Sequence, residues 1–147
     1  MINDALTLEI FEALMAQDTI NPPGNEMRGA LCLREIFDRE EIPCEVQDLG
    51  HNRANFIACF GEGEKTLEYS GHLDIVPCVG DWKHTAIGTT EEGDLIYGRG
   101  ACDMKGGVAA MCSAAIALYR DKTPLNGKIR CGRRGCQSGH ACLPEHA

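Results

Sequence analysis

The tetrapeptide Gly71-His72-Leu73-Asp74 sets an imidazole and a carboxylate two residues apart. In an extended chain, positions i and i+2 point to the same side, so His72 and Asp74 can meet where a strand ends. A carboxylate beside an imidazole fixes its tautomer and improves the other ring nitrogen as a metal ligand. The plainer alternative is a surface histidine and a turn aspartate, which a motif this short leaves open. A second segment runs Tyr97-Gly98-Arg99-Gly100-Ala101-Cys102-Asp103-Met104-Lys105-Gly106-Gly107. Its glycines let the backbone turn tightly and approach a ligand. Asp103 falls just before a helix, where its two carboxylate oxygens could bridge two cations or where it could simply cap the helix.

These residues need a scaffold, and hydrophobic spacing supplies one. Leu6, Ile10 and Leu14, with Phe11 and Met15, mark one face of a helix over residues 4–17, with Asn3 or Asp4 as its cap. Asn21-Pro22-Pro23-Gly24 stops it. A second helix is expected from Glu26 to Arg39, with Ala30, Leu33 and Phe37 inward. After Pro43 the period shortens. Cys44, Val46 and Leu49 predict a strand, Asn55 to Phe60 another and Thr66 to Ser70 a third. Gly61-Glu62-Gly63-Glu64 reads as a hairpin turn between the last two. Glu91-Glu92-Gly93-Asp94 reads as a second hairpin, flanked by Thr89-Thr90 and by Leu95 to Tyr97. Met104 to Tyr119 is Ala- and Gly-rich and predicts a helix lying close on a sheet, and Lys128 to Arg130 begins one more strand. Helices mixed with short buried strands indicate an α/β fold.

Composition narrows the function classes. The 147 residues suffice for one domain with a core, and 44% hydrophobic content argues against disorder. A net charge of −8 argues against binding a nucleic-acid backbone. The apolar stretch around Val108 to Leu118 is too short and interrupted for a membrane span. The start, MINDALTLEI, lacks the basic region of a secretory signal. Six of the nine cysteines are scattered through the body, as expected for small buried hydrophobes in a reducing compartment. The expectation is a cytoplasmic protein with a small-molecule substrate, no nucleic acid and no membrane.

Taken together, the segments Ser70-Gly71-His72-Leu73-Asp74-Ile75-Val76-Pro77 and Ile96-Tyr97-Gly98-Arg99-Gly100-Ala101-Cys102-Asp103-Met104-Lys105-Gly106-Gly107 resemble the two N-terminal motifs of one group of zinc hydrolases. The group comprises acetylornithine deacetylases, succinyl-diaminopimelate desuccinylases, aminoacylases and carboxypeptidases. Asn21-Pro22-Pro23-Gly24 and Asp81-Trp82 are also similar to it, and the resemblance covers roughly residues 5 to 130. It implies a zinc-exopeptidase-like mixed sheet flanked by helices. It implies His72 as a terminal ligand of one metal, Asp103 as the bridge between two, and Asp74 as the catalytic-centre carboxylate that holds the His72 ring. It implies two zinc ions, with cobalt as a substitute, and a metal-bridging hydroxide that attacks the amide of an N-acyl amino acid. Dipeptidases and carboxypeptidases share the motifs and remain the alternative. Relatives of this kind carry further acidic and histidine ligands, an adjacent Glu-Glu pair, and a lid domain through which they form homodimers.

No Glu-Glu pair follows Lys128-Ile129-Arg130, where the resemblance implies one. Residues 1–130 read as the N-terminal part of the catalytic domain, and residues 131–147 as an aberrant, unstructured tail. Lys128, Arg130, Arg133 and Arg134 against Glu145 give residues 128–147 a net charge of +3 and leave −11 on the first 127. After Ile129 there is no Val, Ile, Met, Phe, Tyr or Trp. A shifted reading frame would produce such a break. On this reading the chain is a fragment that is inactive alone, with an open sheet edge and an uncovered apolar face. Two other readings stand beside it: a hydrolase that borrows its missing half from another polypeptide, and a small zinc-binding or redox module. The module would use Cys131, Cys136, His140, Cys142 and His146, spaced Cys-x₄-Cys and His-x₅-His.

Overall fold

The apolar stripe at the start of the chain forms helix α1 (Asp4–Met15), burying Leu6, Ile10, Phe11, Leu14 and Met15. The structure is a computed structural model and describes residues 4–132. Helix α2 (Glu26–Arg39) buries Ala30, Leu33, Ile36 and Phe37 along one face. Strands β1 (Cys44–Gly50) and β2 (Arg53–Gly61) follow as an antiparallel pair with Val46 opposite Phe56. His51 and Asn52 join them with φ of 53° and 61°, the left-handed pair that a tight hairpin of this twist requires. Strand β3 (Thr66–Ser70) leads to the first motif. Strands β4 (Thr90–Glu92) and β5 (Leu95–Tyr97) make a separate small hairpin about Gly93, whose φ is 62°. Helix α3 (Gly106–Arg120) and strand β6 (Lys128–Gly132) complete the described chain.

The main sheet has the order β1-β2-β6-β3, with β6 antiparallel to β2 and parallel to β3. This overturns the hairpin expected at Gly61-Glu62-Gly63-Glu64, because β2 and β3 are not neighbours. Strand β6 lies between them, with Phe60 and Leu67 both in register with Ile129. Close backbone approach makes room for it: a Cβ on Gly61 would lie 2.6 Å from the Gly127 carbonyl oxygen. Lys128 N also donates to Lys65 O at 2.8 Å. The strand runs through Cys131 and Gly132, two residues that sequence reading assigned to the tail. Ile129 and Cys131 are buried, so burial alternates along β6 as a strand packed on one face requires. The rest of the expected tail, residues 133–147, lies outside the described residues, as does Asn3.

All three helices feed one core. Phe37 of α2 meets Phe56 of β2 edge to face at 4.9 Å, and Ala54, Ala58 and Phe60 extend the same sheet face. Helix α3 packs through small side chains, with Ala109, Cys112, Ser113 and Ala115 buried. The one buried hydroxyl on that face, Ser113 Oγ, accepts from Thr7 Oγ1 of α1 at 2.8 Å. Residues 101–120 are long and apolar enough for a membrane span by composition. Their helical geometry breaks at Asp103 and Met104, however, and α3 buries Val108, Ala109, Cys112, Ser113, Ala115 and Ile116 in this core. The opposite sheet face differs from expectation. Asn55 is half-buried there, and Cys59 and Glu45 are exposed or partly so. Apart from buried Ile57 it is largely polar, because the alternating side chains of β1, β2 and β6 include Glu45, Gln47, Asn55 and Arg130.

An ion pair ties the ends of α2 and α3. Arg120 donates Nε to Glu40 Oε2 and Nη2 to Glu40 Oε1, both at 2.6 Å. The hydrogen bonds from Arg120 hold the Glu40 carboxyl below its ordinary value of 4.5. A carboxyl lowered in the folded state stabilises the fold above its unfolded pKa, and that contribution is lost as pH falls through the folded value. Replacing Glu40 with Gln should therefore lower the unfolding free energy by about 0.5–1 kcal/mol at neutral pH, with the difference vanishing in acid. Urea unfolding of both proteins across the acid range checks this.

Candidate metal centre

Beyond β3 the chain stays extended and alternates sides. Leu73 and Ile75 turn inward, each nearly fully buried. His72 and Asp74 turn to the other side, as the two-residue period requires. The segment is laced to the loop after α1. Thr19 Oγ1 donates to Leu73 O at 2.6 Å, Ile75 N to Thr19 O at 3.1 Å, and Asn21 N to Ile75 O at 2.8 Å. Leu73 packs against Gly29 of α2, where an added Cβ would stand 3.4 Å from Leu73 Cδ1, an ordinary contact.

The three residues singled out in the sequence come together. His72 Nδ1 lies 2.9 Å from the Asp74 backbone oxygen and 3.4 Å from Asp74 Oδ1. Asn21 Nδ2 donates to Asp74 Oδ2 at 2.9 Å and steadies that carboxylate. On the other side of the ring, His72 Nε2 lies 2.8 Å from Asp103 Oδ1. The His72 and Asp74 side chains are only 14% and 13% exposed, whereas Asp103 is 87% exposed. The first two are therefore fixed in the wall and the third faces open space.

This arrangement fits a cation on chemical grounds. A carbonyl oxygen only accepts, so Nδ1 must carry the ring proton. In the neutral ring Nε2 is then a bare lone pair. It lies beside a carboxylate oxygen, so two lone-pair donors on neighbouring elements are within reach of one shared cation. An imidazole nitrogen with a carboxylate oxygen is a donor set that suits zinc. Among the described residues no three His, Cys, Asp or Glu side chains form a ready cage. Of the proposed tail ligands, Cys131 is buried in β6 with its Sγ 3.8 Å from Cys112 Sγ. Cys136, His140, Cys142 and His146 lie outside the described residues.

The loop carrying Asp103 is tightly held. A wide turn, Ala101–Lys105, gives Asp103 extended angles of φ −129° and ψ 91°, so Asp103 does not cap α3. Gly98 packs its bare Cα against the Gly88 carbonyl and Met15, where any side chain would collide. Gly100 takes φ 89° beside Ile75. At the turn's end Lys105 is 1% exposed and donates Nζ to Leu14 O at 2.9 Å and Gln17 O at 2.8 Å. Those carbonyls belong to the C-terminal end of α1, which has no basic residue of its own in its last turn. Burial pushes the Lys105 amine down to about 8, against the pull of Asp18. The neutral amine still has two N–H donors for two carbonyls. Lys105, Asn21 and Thr19 were not assigned roles from sequence. Lys105 and Asn21 stand inside the recognised motifs, which was the available signal.

Lys105→Met keeps the buried volume but leaves both carbonyls without donors. It should destabilise the fold by about 2–3 kcal/mol. It should also loosen the turn that presents Asp103, read as a lower urea midpoint and faster amide exchange at residues 101–105.

The pair opens into a cleft of about 400 Å³. Its far wall carries Trp82, Tyr97 and Arg99. His84 stacks on Tyr97 at 4.2 Å and lies 3.4 Å from Glu92.

Comparison with known proteins agrees with this geometry. Residues 69–131 match the model of peptidase family M20/M25/M40. A probable succinyl-diaminopimelate desuccinylase of Staphylococcus aureus (strain MRSA252) is 37% identical over 108 residues, 72% of this chain and 26% of that protein. The succinyl-diaminopimelate desuccinylase of Orientia tsutsugamushi (strain Ikeda) is 30% identical over 134 residues, 88% of this chain and 34% of that protein. The chain thus spans about a quarter to a third of the length of these relatives. Among solved structures, human carnosine dipeptidase 1 superposes with a TM-score of 0.71 at 22% identity, covering 86% of this chain and 31% of that one. That likeness concerns the fold. The M20 family metallo-carboxypeptidase Sso-CP2 of Sulfolobus solfataricus gives a TM-score of 0.69 at 25% identity, covering 86% and 30%. Across both motifs and on into β6, residues 69–131 thus carry a segment of peptidase family M20/M25/M40.

Proposed function

We propose that this chain supplies the first metal ligands of a zinc-dependent amidohydrolase that cleaves the amide bond of N-acyl amino acids, of the desuccinylase or deacetylase type. The observation that carries the reading is the His72 Nε2 to Asp103 Oδ1 approach at 2.8 Å, with Nδ1 already committed to Asp74. His72 and Asp103 would hold zinc, and cobalt would substitute for it. When bound, zinc supplies Lewis acidity and a nucleophile at neutral pH. The chain's own residues do the positioning. Asp74 keeps the proton on Nδ1 and so keeps the Nε2 lone pair aimed into the cleft. Asn21 keeps Asp74 from turning away. Asp103 adds negative charge from a turn that Lys105 clamps to α1.

The acyl amino acid reading is favoured over a dipeptidase or carboxypeptidase by the sequence relatives, which are desuccinylases at 29–37% identity. The peptidases are structural neighbours at 25% identity or less. The substrate would be a small molecule, in keeping with a cleft of this volume. All seven cysteines of the described residues are free thiols, which supports a reducing, cytoplasmic setting. Two ligands hold a cation weakly, and the described residues offer no general base near the pair, so this chain alone should turn over nothing.

Calorimetric titration with zinc tests the reading. The 147-residue chain should bind the ion, and His72→Ala and Asp103→Ala should each abolish the signal. Asp74→Asn should weaken it about 10–100-fold, the usual effect of removing the group behind a ligating histidine. Identical titration curves for the parent and His72→Ala would sink the proposal. Joined to the remaining two-thirds of a desuccinylase relative, the chain should release amine from N-succinyl amino acids faster than from dipeptides.

A further inference from the structure

Arg99 lines the same cleft as His72 and Asp103 but takes no part in the ligand pair. Its backbone is fixed: N donates to Ala86 O at 2.8 Å, and glycines 98 and 100 on either side are closely packed. Its guanidinium carbon sits 4.7 Å from the centre of the Trp82 ring. A cation–π contact of this kind uses none of the guanidinium N–H donors, which stay available for other partners. No side chain or carbonyl among the described residues accepts from them, and Nε is shielded from solvent without an acceptor. The nearby carboxylates are already engaged, Asp74 and Asp103 with His72 and Glu92 with His84. An arginine fork held rigidly in a cleft wall without an acceptor is poised for a planar anion, since a shielded donor left unpaired is costly.

We infer that Arg99 anchors the free carboxylate of the substrate, an inference that rests on reading the cleft as an amide-hydrolase site. An N-acyl amino acid carries that carboxylate one carbon from the amide nitrogen. Arg99 and Asp103 are four residues apart on one clamped loop. The loop thus presents an anion anchor and a metal-ligand carboxylate to the two ends of a small acidic amide. Trp82 lies against the guanidinium and limits where it can turn.

Trp82 is the only tryptophan in the chain and lies against Arg99, so its fluorescence reports on the anchor directly. The metal-free 147-residue chain is titrated with N-acetylglycine and with its neutral counterpart, N-acetylglycinamide. The acid should give a saturable change and the amide none. Arg99→Lys keeps the charge but loses the fork and should weaken the acid about tenfold or more. Arg99→Gln should remove the response, with circular dichroism confirming that each variant is folded. Equal responses to acid and amide, unchanged affinity in Arg99→Lys, or no response to the acid would each overturn the inference. The acid-to-amide comparison on the parent chain needs no variant to fold. His72→Ala should keep the carboxylate response. A parent that binds the acid but no zinc would remove the metal reading and leave this one; zinc binding without the acid response would do the reverse.

Discussion

Two hydrogen-bond acceptors face each other across 2.8 Å at His72 Nε2 and Asp103 Oδ1. The constraint originates on the far side of the ring. Because Nδ1 is committed to the backbone oxygen of Asp74, Nε2 has no proton of its own in the neutral ring. The remaining geometry of the site follows from keeping that confrontation in place. A ring free to flip, or a carboxylate free to swing, would relieve it at once by hydrogen-bonding to water.

The fold restrains the ring and fixes the backbone from which the Asp103 carboxylate projects. Leu73 and Ile75 are driven into the core, and the alternation of an extended chain then forces His72 and Asp74 outward. The loop after α1 stitches this segment down through Thr19 and Asn21. Asp103 is held by a different device: a buried lysine reaches from the end of its turn to the carbonyls that close α1. The same amine that satisfies a helix terminus fixes the position of a candidate metal ligand. Core packing, helix capping and site geometry therefore share residues, and a change in one is felt in the others.

Much of this was legible in the sequence because it rests on local pattern. The helices α1 and α2 and the β4–β5 hairpin follow from apolar period and turn residues. His72, Asp74 and Asp103 follow from two ordered motifs. What was not legible depends on contacts far apart in the chain. Strand β6 inserts between β2 and β3, yet Lys128-Ile129-Arg130-Cys131-Gly132 reads as weakly apolar, and nothing local to Gly61-Glu62-Gly63-Glu64 announces a third strand. Cys131 was assigned to a tail because Arg and Gly surround it, but pairing on both sides buries it. The role of Lys105 was hidden because its partners lie about ninety residues upstream, and a lysine before two glycines suggests an exposed helix start.

A cation held by His72 and Asp103 would have one imidazole and one carboxylate as protein ligands and no thiolate. X-ray absorption at the zinc edge on the zinc-loaded 147-residue chain tests it most directly. The expected spectrum shows a shell of nitrogen and oxygen at about 2.0–2.1 Å, including the outer-shell scattering of an imidazole, and no sulfur. A sulfur shell at about 2.3 Å would place the metal on cysteines instead and contradict the account.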